Sequence, residues 1–182
     1  MKRVLNYSLY DIKSVVKELR DYQQEMEDKR EIFIRRLMEL GIKMANSRLG
    51  NYAGMVMFEK TIDENGGIIV ASDREKIVRV WYTDKKLKNQ RSYQVSPLLL
   101  SEFGSGWLAQ VTSGVNMASP IGEVGQGTMP GQKHAFDENG WFWYDEDGEK
   151  HHSYGEAPTH PLYFAVLEMQ EQIEAVAREV YG

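Results

Sequence analysis

Between Pro161 and Tyr181 the apolar residues Leu162, Val166, Met169, Ile173, Val176 and Val180 recur at alternating steps of four and three. That spacing lays one continuous apolar seam along a helix, and Ala157-Pro158-Thr159-His160-Pro161 launches it, so a C-terminal helix is expected over 159–181. A dense aromatic run, Trp141-Phe142-Trp143-Tyr144, stands just upstream. The polar turn Asp145-Glu146-Asp147-Gly148 and the His-bearing return from Glu149 to Tyr154 complete an aromatic hairpin over 141–154. Near the N-terminus Ile12, Val16 and Leu19, then Met26, Phe33, Leu37, Leu40 and Met44, keep helical spacing. Ser8 is a candidate cap with Asp11 three residues on. The stretch from Asp21 to Glu31 is almost all polar, so the segment 8–46 reads either as one long helix or as two helices with a break.

The middle of the chain changes period. Met55 to Ile62, Ile68 to Ser72 and Lys76 to Thr83 read as strands. Asn65-Gly66 marks a hairpin, because those residues accept the positive φ of a tight turn. The expectation is an antiparallel meander over 54–103, with Ile77, Arg79 and Trp81 on one face of its third strand. From Gly104 to Ala135 seven glycines interrupt apolar residues that follow neither period, which reads as a long glycine-bearing loop. A structureless stretch of that length is usually functional or ordered by a partner. The fold class expected is therefore α+β, a single domain over 1–182. An antiparallel sheet would pack against an N-terminal helical segment and a C-terminal amphipathic helix.

Composition narrows the setting. No stretch approaches the ~20 apolar residues of a membrane span, and the N-terminus has no apolar core of secretory length. Cysteine is absent, so disulfides and thiolate metal sites are excluded, which fits a reducing cytoplasm. The net charge of −5 is unevenly laid. Residues 135–182 hold eleven acidic against two basic residues, a balance of −9, and the remainder carries +4. Solvated faces account for such a split; so does a molecule with one acidic and one basic side, whose copies attract head to tail.

Candidate chemistry is sparse. Lys85, Lys86, Lys88 and Arg91 with Tyr93 form a basic loop that reads as a phosphate contact or as a solvated hairpin tip. His134, His151, His152 and His160 stand near Asp145, Asp147 and Glu149. Adjacent His151 and His152 point to opposite faces of a strand and do not share one ion. Exposed carboxylates in a turn lack the environment for acid–base catalysis, and no Gly-x-Ser-x-Gly elbow occurs. No enzyme, cofactor or metal site is expected; a metal-dependent hydrolase is the weakest alternative. The aromatic run invites a second alternative, a carbohydrate-binding module of a phage tail or cell-wall-associated protein. Core and subunit contact is the commoner use of such residues.

Glu102-Phe103-Gly104-Ser105-Gly106, Gly127-Thr128-Met129-Pro130-Gly131-Gln132 with His134-Ala135-Phe136, and Gly140-Trp141 form a set of short motifs. His151-His152-Ser153-Tyr154-Gly155-Glu156 and Pro161-Leu162-Tyr163-Phe164-Ala165 extend it. With them the chain resembles the tail-completion (head–tail joining, minor tail) proteins of tailed bacteriophages. The helix end Met44–Gly50 departs from the family pattern, lacking its Pro and its Thr-Gly pair. The resemblance implies a structural virion component without a cofactor, assembled in the host cytoplasm. It would form a homo-oligomeric ring, hexameric by the symmetry of phage tails, at the neck or tail top. Its partners would be further copies, the head–tail connector and the tail tube or terminator proteins, with DNA as cargo through the lumen and no membrane. Glu102, Phe103, Gly104, Trp107, Trp141 and Trp143 are the expected interface or fold-critical positions.

Overall fold

A computed structural model of the chain describes residues 9–82, 90–112, 137–144 and 147–182. The fold is α+β. Its elements run α1 (Leu9–Arg48), a 3₁₀ turn (Gly50–Tyr52), β1 (Val56–Ile62), β2 (Gly67–Asp73), β3 (Ile77–Tyr82) and β4 (Gln90–Val95). Then follow α2 (Pro97–Phe103), α3 (Gly106–Thr112), β5 (Trp141–Tyr144), β6 (Lys150–Ser153) and α4 (Pro161–Tyr181).

Of the two readings of the N-terminal segment, the unbroken one holds. Forty residues form a single helix, about 60 Å long at ~1.5 Å per residue. Its polar middle stays helical because it holds neither proline nor glycine and its charges pair one turn apart: Lys29 with Glu25 at 2.9 Å, Arg35 with Glu31 at 2.5 Å. Gln23 and Gln24 likewise donate to Glu27 and Asp28. The candidate cap Ser8 lies outside the described residues.

α4 runs back along α1. The Arg48 guanidinium sits 3.3 Å from the Phe164 ring centroid, and Met169 crosses over Gly41, where a Cβ would stand 2.7 Å from its sulfur. Further along, Arg36 pairs with Glu179 at 2.6 Å and Phe33 meets Tyr181 with ring centroids 5.9 Å apart. The β1–β2 hairpin lies across the same helix, its Gly67 set against Ile34 and Met38. Lys60 reaches Glu39 at 2.9 Å, and Arg30 donates to the Glu64 carbonyl (2.5 Å) and the Asp63 carbonyl (3.2 Å) at the hairpin tip. In that tip the Asp63 carboxylate accepts the N–H of Asn65 and of Gly66, so the turn is closed by a side chain.

The expected meander is corrected. Among the described residues the strands form three separate two-stranded antiparallel sheets, β1–β2, β3–β4 and β5–β6. β2 and β3 are not partners because the intervening turn is held elsewhere. The N–H groups of Arg74 and Glu75 bond the Met55 carbonyl, and the Asp73 carboxylate accepts the Leu98 N–H at 3.0 Å. The chain thus leaves the edge of β2 and pairs β3 with β4, Ile77 opposite Val95 through Tyr82 opposite Gln90. The end of the same stretch, 97–103, is helical, and so are the first residues of the expected loop, in α3. Residues 113–135, the rest of that loop, His134 included, lie outside the described residues, as do Phe136, Lys85, Lys86 and Lys88. Among the described residues the buried apolar set is small: Met38, Ala45, Leu49, Val56, Val95, Leu100, Ala165 and Val176. The outer face of β2 leaves Ile68 and Val70 about half exposed.

Candidate functional site

Residues that stand far apart in sequence converge where α2 ends and α4 begins. Ser96 caps α2, its Oγ accepting the Leu99 N–H at 3.1 Å, with Pro97 at the first helical position, where its missing N–H costs nothing. Gly104 ends the helix at φ +67, its N–H bonded to the Leu100 carbonyl at 2.7 Å. Two residues back, the buried Glu102 turns its carboxylate onto α4 and accepts the N–H of Leu162 at 2.8 Å and of Tyr163 at 3.2 Å. Pro161 has no N–H to offer, so Glu102 answers the next two donors of the opening turn and places its charge at the positive end of the helix.

The segment before α4 is fastened to the same joint. Ser105, fully buried, exchanges two backbone hydrogen bonds with Glu156, at 2.8 and 2.9 Å. The Ser101 carbonyl accepts the N–H groups of both Thr159 and His160, and Arg48 at the end of α1 donates to the Thr159 carbonyl. Tyr52 donates its hydroxyl to the Glu156 carboxylate. Gly106, at φ +64, gives the Trp141 ring its seat, and a Cβ there or at Gly104 would overlap Trp141 or the Glu156 carbonyl and Pro158. His160, the residue before α4, is left-handed at φ 51, ψ 54 and only 6 % exposed. Neither of its ring nitrogens has a hydrogen-bond partner among the described residues.

Of the six expected positions, Glu102, Gly104 and, through Gly106, Trp141 are brought together here. Phe103 and Trp107 flank the joint half-buried. Trp143 lies on the hairpin, stacked on His151 with centroids 4.5 Å apart. His152 sits on the other face, against Phe142, as strand alternation requires. Tyr52 and Ser101 belong to the joint without having been singled out from sequence, and Glu156 and Thr159 stood in quoted segments without a role of their own. The sole local signal was Pro158 and Pro161 bracketing a short rigid segment.

Both oxygens of Glu102 are engaged by backbone donors, and the Ser101 hydroxyl donates to the Leu98 carbonyl. The arrangement anchors; it does not poise a nucleophile against a base. Among the described residues no group of three or more His, Asp or Glu side chains comes together to hold a metal ion. Nor is any described helix long and apolar enough to cross a membrane. No protein-family model, curated protein or solved structure matches the chain.

Proposed function

We propose that this chain is a non-enzymatic structural protein of a tailed-phage virion, a tail-completion or head–tail joining protein whose copies close into a ring at the neck or tail top. The observation that carries the reading is the joint itself. Four of the motifs behind the resemblance, Glu102–Gly106, Gly140-Trp141, Tyr154-Gly155-Glu156 and Pro161-Leu162, are separated by up to sixty residues yet meet in one packed unit. A shared motif set with one structural purpose fits a scaffold better than a catalyst. The sparse buried core and the three two-stranded sheets add to this. Strand edges left open among the described residues, and half-covered faces such as Ile68 and Val70, gain most from neighbouring subunits.

In this reading the ring completes the tail and joins it to the connector, so that DNA passes through a sealed lumen. The binding energy comes from apolar and aromatic side chains buried between copies. Cryo-electron microscopy of intact particles tests it: a sixfold ring of this chain between head and tail is expected. A chain found outside the particle, or present as isolated monomers within it, overturns the reading.

A further inference from the structure

The tetrapeptide Asp-Glu-Asn-Gly occurs twice in the chain, at 63–66 and at 137–140. Each copy is a turn whose aspartate carboxylate accepts the asparagine N–H, at 2.8 Å from Asn65 and 2.9 Å from Asn139. Asparagine is a labile residue, most of all before glycine, whose nitrogen no side chain shields. The two copies differ in what holds them. At the second, Asn139 Nδ2 donates to the Asp137 carboxylate at 3.1 Å and the Gly140 N–H to the Asp137 carbonyl at 2.8 Å. His152 Nε2 donates to the Asn139 carbonyl at 2.6 Å, and a Cβ on Gly140 would overlap the Ser153 carbonyl. That turn is packed against β6. At the first, the Asn65 side chain has no partner among the described residues. No described atom beyond the chain neighbours lies within 4 Å of a Cβ built on Gly66. What restrains Gly66 is local: its N–H donates to the Asp63 carboxylate at 3.0 Å, and its carbonyl accepts the Asp63 N–H at 2.9 Å.

We infer that Asn65 is a self-modifying site, converting in the folded chain to aspartate and isoaspartate as the Asp63 turn opens, while Asn139 stays intact. The Gly66 backbone nitrogen forms a bond to Asn65 Cγ, and the bond from Cγ to the side-chain nitrogen breaks. That nitrogen leaves as ammonia, carrying the proton of the Gly66 N–H. Water then opens the five-membered imide at either carbonyl, giving aspartate or, with the main chain running through Cγ, isoaspartate. Asp63 is the gate, because an N–H donated to a carboxylate keeps its proton and its place, and the nitrogen attacks only when that bond is broken. At Asn139 the departing amide is itself held, so opening one bond is not enough. Isoaspartate adds a backbone carbon between 65 and 66, which the Asp63 turn cannot span and which pushes apart the ladder end, Ile62 opposite Gly67. Either product adds a carboxylate to a cleft where Asp63 and Glu64 already face Glu27, Asp28 and Glu31 of α1. The Asp63 and Glu64 carbonyls then slip from Arg30, and the hairpin tip loosens from α1. The change is irreversible and rests on the hairpin alone, independent of the ring reading.

Peptide mapping by mass spectrometry, on full-length protein held in mildly alkaline buffer, reads both asparagines in one sample. The peptide containing Asn65 is expected to gain the mass of amide-to-acid exchange, with isoaspartate as a product, while the peptide containing Asn139 is unchanged. In urea, where both turns are gone, the two are expected to convert alike. Asp63→Ala is expected to speed conversion at Asn65 about fivefold, the factor one ordinary hydrogen bond supplies. Asp63→Asn, which keeps an acceptor for the turn, is expected to fall between. Asn65 unchanged in the folded chain, Asn139 keeping pace with it there, or Asp63→Ala no faster than wild type would each overturn the site. Hydrogen exchange of the β1–β2 amides is expected to quicken in the isoaspartyl fraction, and less in Asn65→Asp, which adds the charge without the extra backbone carbon. Unchanged exchange in the isoaspartyl fraction would overturn the loosening.

Discussion

Glu102 is a buried carboxylate whose two oxygens satisfy two backbone donors at the start of α4. Replacing it by alanine leaves those N–H groups buried and unpaired, at a cost of about 3 kcal/mol. In a chain of this size that lowers the melting temperature by roughly 10 °C, and thermal denaturation followed by circular dichroism reads it. Glu102→Gln retains one acceptor and is expected to fall between. Two bonds further along, His160 holds a left-handed backbone conformation directly before a proline, a position that disfavours helical torsions of either hand. The two bonds from Thr159 and His160 to the Ser101 carbonyl hold it there. His160→Gly and His160→Ala remove the same ring but differ in their tolerance of positive φ, so the glycine variant is expected to be the more stable by about 1 kcal/mol. Equal stability would mean that the backbone at 160 relaxes once the ring is gone.

Elements meet in this fold at glycines of two kinds, and they differ in what a methyl group would strike. At Gly41 it would strike the flexible end of Met169, which can turn aside. At Gly155, with φ +95, it would strike the Ser105 carbonyl, a backbone atom fixed by its bridge to Glu156. Gly41→Ala should therefore cost about 1 kcal/mol, whereas Gly155→Ala should break the bridge and cost more than about 3 kcal/mol; urea unfolding of both variants compares them. The hairpin's tie to α1 carries a pH dependence. The Lys60 ammonium, by its hydrogen bond and then its charge, holds the Glu39 carboxyl below its ordinary value. A depressed carboxyl adds stability that is fully present above its unfolded value and is lost as pH falls through its folded value. Lys60→Ala should thus raise the Glu39 titration, followed by NMR, toward the ordinary carboxylate position, with Arg35 and Arg36 still drawing it down. α4 and the β1–β2 turn were legible in the sequence because each is written in local period or local turn chemistry. The separation of β2 from β3 was not, since it depends on Asp73 reaching Leu98, twenty-five residues away. Nor was α2 read as a helix, although Ser96-Pro97 is a cap and a first-position proline; the three leucines after it fit a strand as well as a helix.

On the scale of the whole molecule, charge and shape make separate demands. The acidic excess of residues 135–182 is partly met inside the body, where Arg36 of α1 pairs with Glu179 of α4. Arg178 pairs with Glu174 at 3.3 Å on the same helix, while Glu171 lies exposed on α4. The candidate joint was half legible for the same reason that this asymmetry was: residue types are visible in sequence, but their meeting across Glu102 and Leu162 is not. A ring of head-to-tail copies would set that acidic surface against the mildly basic remainder of the next subunit. Such contacts are screened beyond ~8 Å at physiological ionic strength. Raising sodium chloride from about 50 to about 500 mM should therefore reduce ring assembly by roughly tenfold, measured by mass photometry at fixed protein concentration. Rings that withstand the salt would show that apolar faces such as Ile68 and Val70, rather than the charge split, hold neighbouring subunits together.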